Sequence, residues 1–210
     1  MKNLMIAAGL ILSLLSCNEQ AAKHESHTDM DSATHGDMDH ARGTGGSEME
    51  KLMGTMMTNM HQQQPTGNND IDYANMMQKH HQGAVDMANL QLSKGKDSSL
   101  KTFSRKVIET QQKEIDLMKE FIAGSQATAS STSGSFIKAM DKSMKDMMKA
   151  GTKVHHDIDK DFVAQMIPHH QSAVDMAKAY LEFGSNDLLK KMSRDIIASQ
   201  EAEIEWLKRQ

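Results

Sequence analysis

At 210 residues the chain is long enough for one or two domains with a real core, and its formal net charge is −4. It has no basic run, which excludes an electrostatic footprint for nucleic acid, and Cys17 is its only cysteine, which excludes an internal disulfide or a thiolate site in the body of the chain. Twenty methionines stand against 5 Phe, 2 Tyr and 1 Trp, an inversion of ordinary core usage, so any soft ligand has to be a thioether.

The chain opens with Lys2, an apolar run from Leu4 to Leu15, and Leu14-Leu15-Ser16-Cys17, after which it turns polar. Residues 1–16 read as a signal peptide too short to span a bilayer, and the Ser-Cys junction resembles a bacterial lipobox with Cys17 as the lipidated residue. Residues 17–47 carry Gly, Ser, Thr, Asp and His with almost no large aliphatic side chain, so burial cannot offset their ordering entropy. They read as a disordered tether in which His24, His27, His35 and His40 alternate with Met30 and Met38, a composition able to hold ions loosely.

Beyond the tether the chain repeats itself. At an offset of 89 residues, 72–119 align with 161–208 without a gap, and at an offset of 91 Met49, Met53, Met56 and Met57 match Met140, Met144, Met147 and Met148. Each copy parses into three amphipathic helices, repeat 1 over 48–123 and repeat 2 over 136–210, with a Ser/Thr/Ala linker at 124–135. The first helices, about 48–61 and 136–151, are methionine-striped. The second, about 70–93 and 159–182, carry Tyr73, Met77, His80, Ala84 and Met87 on one face.

Gly95 and Gly184 then occupy the place of a helix-ending glycine, and Asp97-Ser98 and Asn186-Asp187 offer the next N-caps. The third helices, about 98–122 and 187–209, place Leu100, Phe103, Val107, Gln111, Ile115 and Met118 on one stripe. No stretch alternates with period two, so the expectation is an all-α antiparallel bundle built from two tandem three-helix repeats.

The chemistry concentrates in the second helices. Met77, His80, His81 and Met87, repeated as Met166, His169, His170 and Met176, set two imidazoles and two thioethers along one strip of each helix. Borderline imidazole with soft thioether selects copper, above all Cu(I), or silver over calcium, magnesium or manganese. A methionine stripe at helical spacing is ordinarily core, and a single inward histidine is ordinarily a hydrogen-bonded core residue. Recurrence of the paired histidines at one register in both copies shifts the reading toward ligands.

Asp86 and Asp175 read either as orienting partners for a histidine on a neighbouring helix or as partners of Lys or Arg. Glu114, repeated as Glu203 in a QxxEI pattern, reads as an exposed face residue ahead of a buried acceptor for His80 or His81. Pro168, where copy one has Lys79, is expected to kink the helix or mark its start. His61, His155 and His156 near helix ends are candidate peripheral ligands, and the widened methionine stripes fit a Met-lined ion path or a partner-binding groove.

MIPHHQSAVDMA at 166–177 and MQKHHQGAVDMA at 77–88 resemble the bacterial domain of unknown function 305 family over about 48–210. The resemblance implies a ferritin-like helical fold, kinship with CopM-like periplasmic copper-binding proteins, and copper or silver binding at Met77, His80, His81, Met87, Met166, His169, His170 and Met176. The expected function is an extracytoplasmic binder, not an enzyme. It takes Cu(I), with Cu(II) and Ag(I) as further cargo, and sequesters it or hands it to a protein partner in metal tolerance, held to the periplasmic or cell-surface membrane by its lipid. Two alternatives stand beside it. One is a metal-free adaptor that binds a protein through its Met-rich faces; the other is a di-iron oxidase, whose Glu-x-x-His motif is missing from the sequence.

Overall fold

A computed structural model describes residues 46–150 and 153–210. Six helices follow in order: α1 (Glu48–His61), α2 (Asn69–Lys94), α3 (Ser98–Gly124), α4 (Ser133–Ala150), α5 (Ile158–Phe183) and α6 (Asp187–Leu207). There is no strand among the described residues, so the fold is the expected all-α bundle of two tandem three-helix repeats. The signal peptide, Cys17 and nearly all of the tether lie outside the described residues, and no described helix is long and apolar enough to cross a membrane.

Local sequence sets the helix starts. Ser47 and Glu50 form a capping box for α1, and the side chains of Asn68, Asp97, Asp157 and Asn186 accept backbone N–H groups at the starts of α2, α3, α5 and α6. Gly95 and Gly184 end α2 and α5, but in extended rather than left-handed backbone. Glycine is required there for space: a Cβ on Gly95 would run into the side chain and carbonyl of Gln91, and one on Gly184 into the Tyr180 ring. Pro168 neither starts nor breaks α5, which begins ten residues earlier at Ile158 and runs through it.

The two copies interlock about α2 and α5, which pack together with α1 and α3 against α2 and with α4 and α6 against α5. Asp70 at the start of α2 accepts the backbone N–H of Ser185 at 2.7 Å, the Ser185 hydroxyl at 2.6 Å and the Tyr180 hydroxyl at 2.6 Å. Its repeat, Asp159, accepts the backbone N–H groups of Lys96 and Asp97 and the amide of Gln91. The start of each second helix therefore clasps the end of the other, which makes the pair antiparallel. Tyr73 stacks on Tyr180 with ring centroids 4.1 Å apart, and the Ser193 hydroxyl donates to the Tyr73 oxygen at 2.8 Å.

The linker is tied to α2, because the Ser130 N–H donates to the Gly67 carbonyl and the Asn68 amide to the Thr128 carbonyl. One hydrophobic core runs through all six helices, and every described methionine except Met148 is buried in it. The methionine stripes of α1 and α4 are thus turned largely inward.

Candidate metal centre

His80, His81, His169 and His170 are all fully buried. Antiparallel packing of α2 on α5 sets the His80 and His169 rings against each other, with centroids 3.9 Å apart, and the His81 and His170 rings lie 6.3 and 6.1 Å from their neighbours. The four imidazoles form one row across the middle of the bundle. Glu114 Oε2 lies 2.9 Å from His81 Nε2 at one end of the row, and Glu203 Oε2 lies 3.1 Å from His170 Nε2 at the other. Both contacts are within ion-pair distance, and each carboxylate caps one end of the row.

Methionines flank the row. Four residues inward from the Tyr73–Tyr180 stack, the antiparallel register sets Met77 at the level of Met176, and the repeat sets Met87 and Met166 at matching levels on the far side of the histidines. All four are fully buried. The eight residues therefore occupy three successive levels of the core, the histidines in the middle and a methionine pair about 7 Å to either side along α2 and α5.

The ring nitrogens decide what this layer can do. His169 Nε2–H donates to the His80 carbonyl at 3.0 Å, which leaves its Nδ1 as a lone pair, buried and without a partner. Both ring nitrogens of His80 and the Nδ1 atoms of His81 and His170 are likewise buried without a hydrogen bond. Each such atom in an apolar core costs roughly 1–3 kcal/mol, a cost that packing alone does not explain. Burial, with His81 and His170 close by, holds His80 well below the usual histidine range, and burial with His80, His170 and His81 does the same to His169. Both rings are neutral at neutral pH, the state a metal ligand requires.

Burial raises the Glu203 carboxyl, but His170 and Lys106 outweigh it and hold the group below its ordinary value, so it is ionised beside the row. No set of three or more His, Cys, Asp or Glu side chains among the described residues is arranged to hold a metal.

A family model described as a domain of unknown function, DUF305, matches residues 70–210. The chain belongs to the DUF305 family. No curated protein matches it. Solved structures of CopM do: the Ag-bound form at 33% identity, covering 67% of this chain and 92% of that one with a TM-score of 0.51, and the Cu(I)-bound form at 34%, 67%, 93% and 0.51. The Cu(II)-bound form of CopM matches at 32% identity over 67% of this chain and 94% of that one, again with a TM-score of 0.51.

In this DUF305 chain the carboxylates divide differently from the sequence expectation. Asp86 and Asp175 orient no histidine; each sits partly exposed and accepts the amide of the glutamine one turn earlier, Gln82 or Gln171. Glu114 and Glu203, expected on an exposed face, instead reach the histidine row. The signal was present: each falls three residues after a stripe residue, Gln111 or Gln200, and four before another, Met118 or Leu207. Of the peripheral histidines, His61 lines a groove between α1 and α4, and His155 gives its backbone N–H to Asp161 at 2.6 Å.

Proposed function

We propose that this DUF305 protein is a binder of soft monovalent metal, Cu(I) first and Ag(I) with it, and that it holds the ion in the central histidine–methionine layer rather than catalysing a reaction. The observation that carries this reading is the set of buried ring nitrogens without hydrogen bonds, those of His80 and His169 on rings held neutral by burial, with four buried methionines within two turns of them along α2 and α5. The similarity to CopM, solved in silver- and copper-bound forms, supports the choice of metal. His80 and His169 would supply nitrogen, and Met77, Met87, Met166 and Met176 sulfur. His81 and His170, each held by a glutamate, would supply Nδ1.

Solvent comes close to the histidine row on the α3–α6 side. A groove of about 690 Å³ is lined by Ser99, Phe103, Lys106, Glu203, Trp206 and Arg209, with Phe103 and Trp206 stacked 4.8 Å apart beside it. Its wall includes the carboxylate that contacts His170, so the outer end of the histidine row is one side chain away from solvent. Exchangeable imidazole and thioether ligation suits sequestration and hand-over to a protein partner. The Leu-Leu-Ser-Cys17 signal favours a bacterial envelope location with a lipid anchor at Cys17.

The test is competition for Cu(I) against a chromophoric chelator under anaerobic conditions. The full chain with His24, His27, His35 and His40 changed to alanine and Met30 and Met38 to leucine, which removes the tail's ligands, is compared with the same chain also carrying His80→Leu and His169→Leu. Loss of a high-affinity Cu(I) equivalent in the second chain supports the proposal; equal stoichiometry and affinity in both refutes it.

A further inference from the structure

A second group of soft ligands lies outside the central layer. Met57 and His61 are one turn apart on α1, Met144 and Met148 are one turn apart on α4, and the four line one surface groove of about 430 Å³. We propose that this groove is an external binding site for a soft monovalent cation, Cu(I) or Ag(I), with His61 Nε2 and the sulfurs of Met57, Met144 and Met148 as its ligand set. The inference rests on the soft-metal reading above and adds a site at the surface.

The state of the His61 ring supports it first. Its Nδ1–H donates to the Met57 carbonyl at 2.9 Å, on the same helix. That bond fixes the proton on Nδ1, leaves Nε2 as a lone pair and sets the ring orientation, which is the support a ligating histidine ordinarily receives from a backbone carbonyl.

The methionines supply the second argument. Met57 and Met144 are buried at the floor of the groove, but Met148 is 46% exposed, the one described methionine left at the surface of a protein that buries all the others. Core packing does not account for it. Met57 and Met148 are repeat equivalents, so the duplication itself brings the doubled methionine of each copy to one groove. Met148 also lines an adjoining groove with Met53 and Met147, which continues the thioether surface along α1 and α4.

Charge does not drive the site, since Lys145 and Lys149 share the rim with Asp141. Selectivity has to come from ligand softness, and hard divalent cations are expected to be rejected.

The experiment is NMR of the full chain labelled with 13C at the methionine methyl groups, titrated with Ag(I), in wild type, His61→Ala and Met148→Leu. Both substitutions fall on exposed side chains, so folding is preserved. The expected result is that the Met57, Met144 and Met148 methyl signals shift together, that Mg(II) moves none of them, and that each substitution weakens Ag(I) at the remaining groove methyls by at least roughly tenfold. Groove methyls that stay still while Met77, Met87, Met166 and Met176 shift overturn this site and leave the central reading standing. Groove shifts without central ones leave this site and remove the central reading. Groove shifts indifferent to both substitutions overturn the assignment of ligands.

Discussion

Replacing His80 by leucine should make the metal-free protein more stable. His80 is fully buried with neither ring nitrogen hydrogen-bonded, and an unsatisfied buried polar atom costs roughly 1–3 kcal/mol. Leucine removes both, keeps a similar volume and leaves the His80 carbonyl to accept from His169 Nε2. Against this stands loss of the paired ring contact with His169, roughly 0.5–1.5 kcal/mol. Two such atoms give roughly 2–6 kcal/mol, so the net expectation is a gain of about 0.5–5.5 kcal/mol; at about 2 kcal/mol the midpoint of a chain this size rises by about 4–8 °C.

The pH dependence gives an independent readout. His80 and His169 are held well below their unfolded value of 6.5 by burial first and by the other histidines second, so both stay neutral in the folded chain while the unfolded chain takes up protons. Their contribution is present above pH 6.5 and is lost as pH falls below it, at up to about 2.7 kcal/mol per pH unit for two rings and about half that in the variant. Urea unfolding with a chelator present, at pH 7.5 and 5.5, measures both quantities. Ag(I) at a hundredfold excess over its Kd should stabilise wild type by about 2.7 kcal/mol and the variant far less. A variant that is less stable at pH 7.5, or whose acid slope matches wild type, would show that His80 is ordinary core and refute the reasoning.

Three further outcomes are expected. Glu203→Gln should leave the helical circular dichroism unchanged and weaken Cu(I) binding roughly 10–100-fold in chelator competition, because the charge that sets the His170 ring is gone. The double substitution Met87→Leu and Met176→Leu should cost under about 1.5 kcal/mol per site in urea unfolding, being nearly volume-conserving, yet lower the affinity for Ag(I) in calorimetry. Asp70→Ala should cost about 1–3 kcal/mol in urea unfolding, since it leaves the Tyr180 hydroxyl without its acceptor at the clasp between the two copies.

The fold was largely legible because duplication states it twice. Apolar spacing set by α-helical geometry, together with caps such as Asn68 and Asn186, marks the helices in both copies independently. The gathering of His80 with His169 was not legible, since it depends on the antiparallel register of α2 on α5. That register is set by Asp70 and Asp159, each 89 residues from its equivalent and pairing with the turn of the opposite copy. The partial burial of Glu114 was readable from its place within the α3 stripe, but a charged side chain weighed against a buried reading when no partner could be named. Gly95 and Gly184 show a different limit: their positions follow from the sequence, but their reason, the Gln91 and Tyr180 side chains lying over them, appears only in three dimensions.

The most direct test of the central claim is anomalous diffraction from crystals of the full chain loaded with Ag(I). The account predicts a silver peak within the histidine–methionine layer, between His80 or His169 and a methionine of the pairs Met77–Met176 or Met87–Met166. Silver found only at the surface, with that layer unchanged and its ring nitrogens still without ligands, would contradict it.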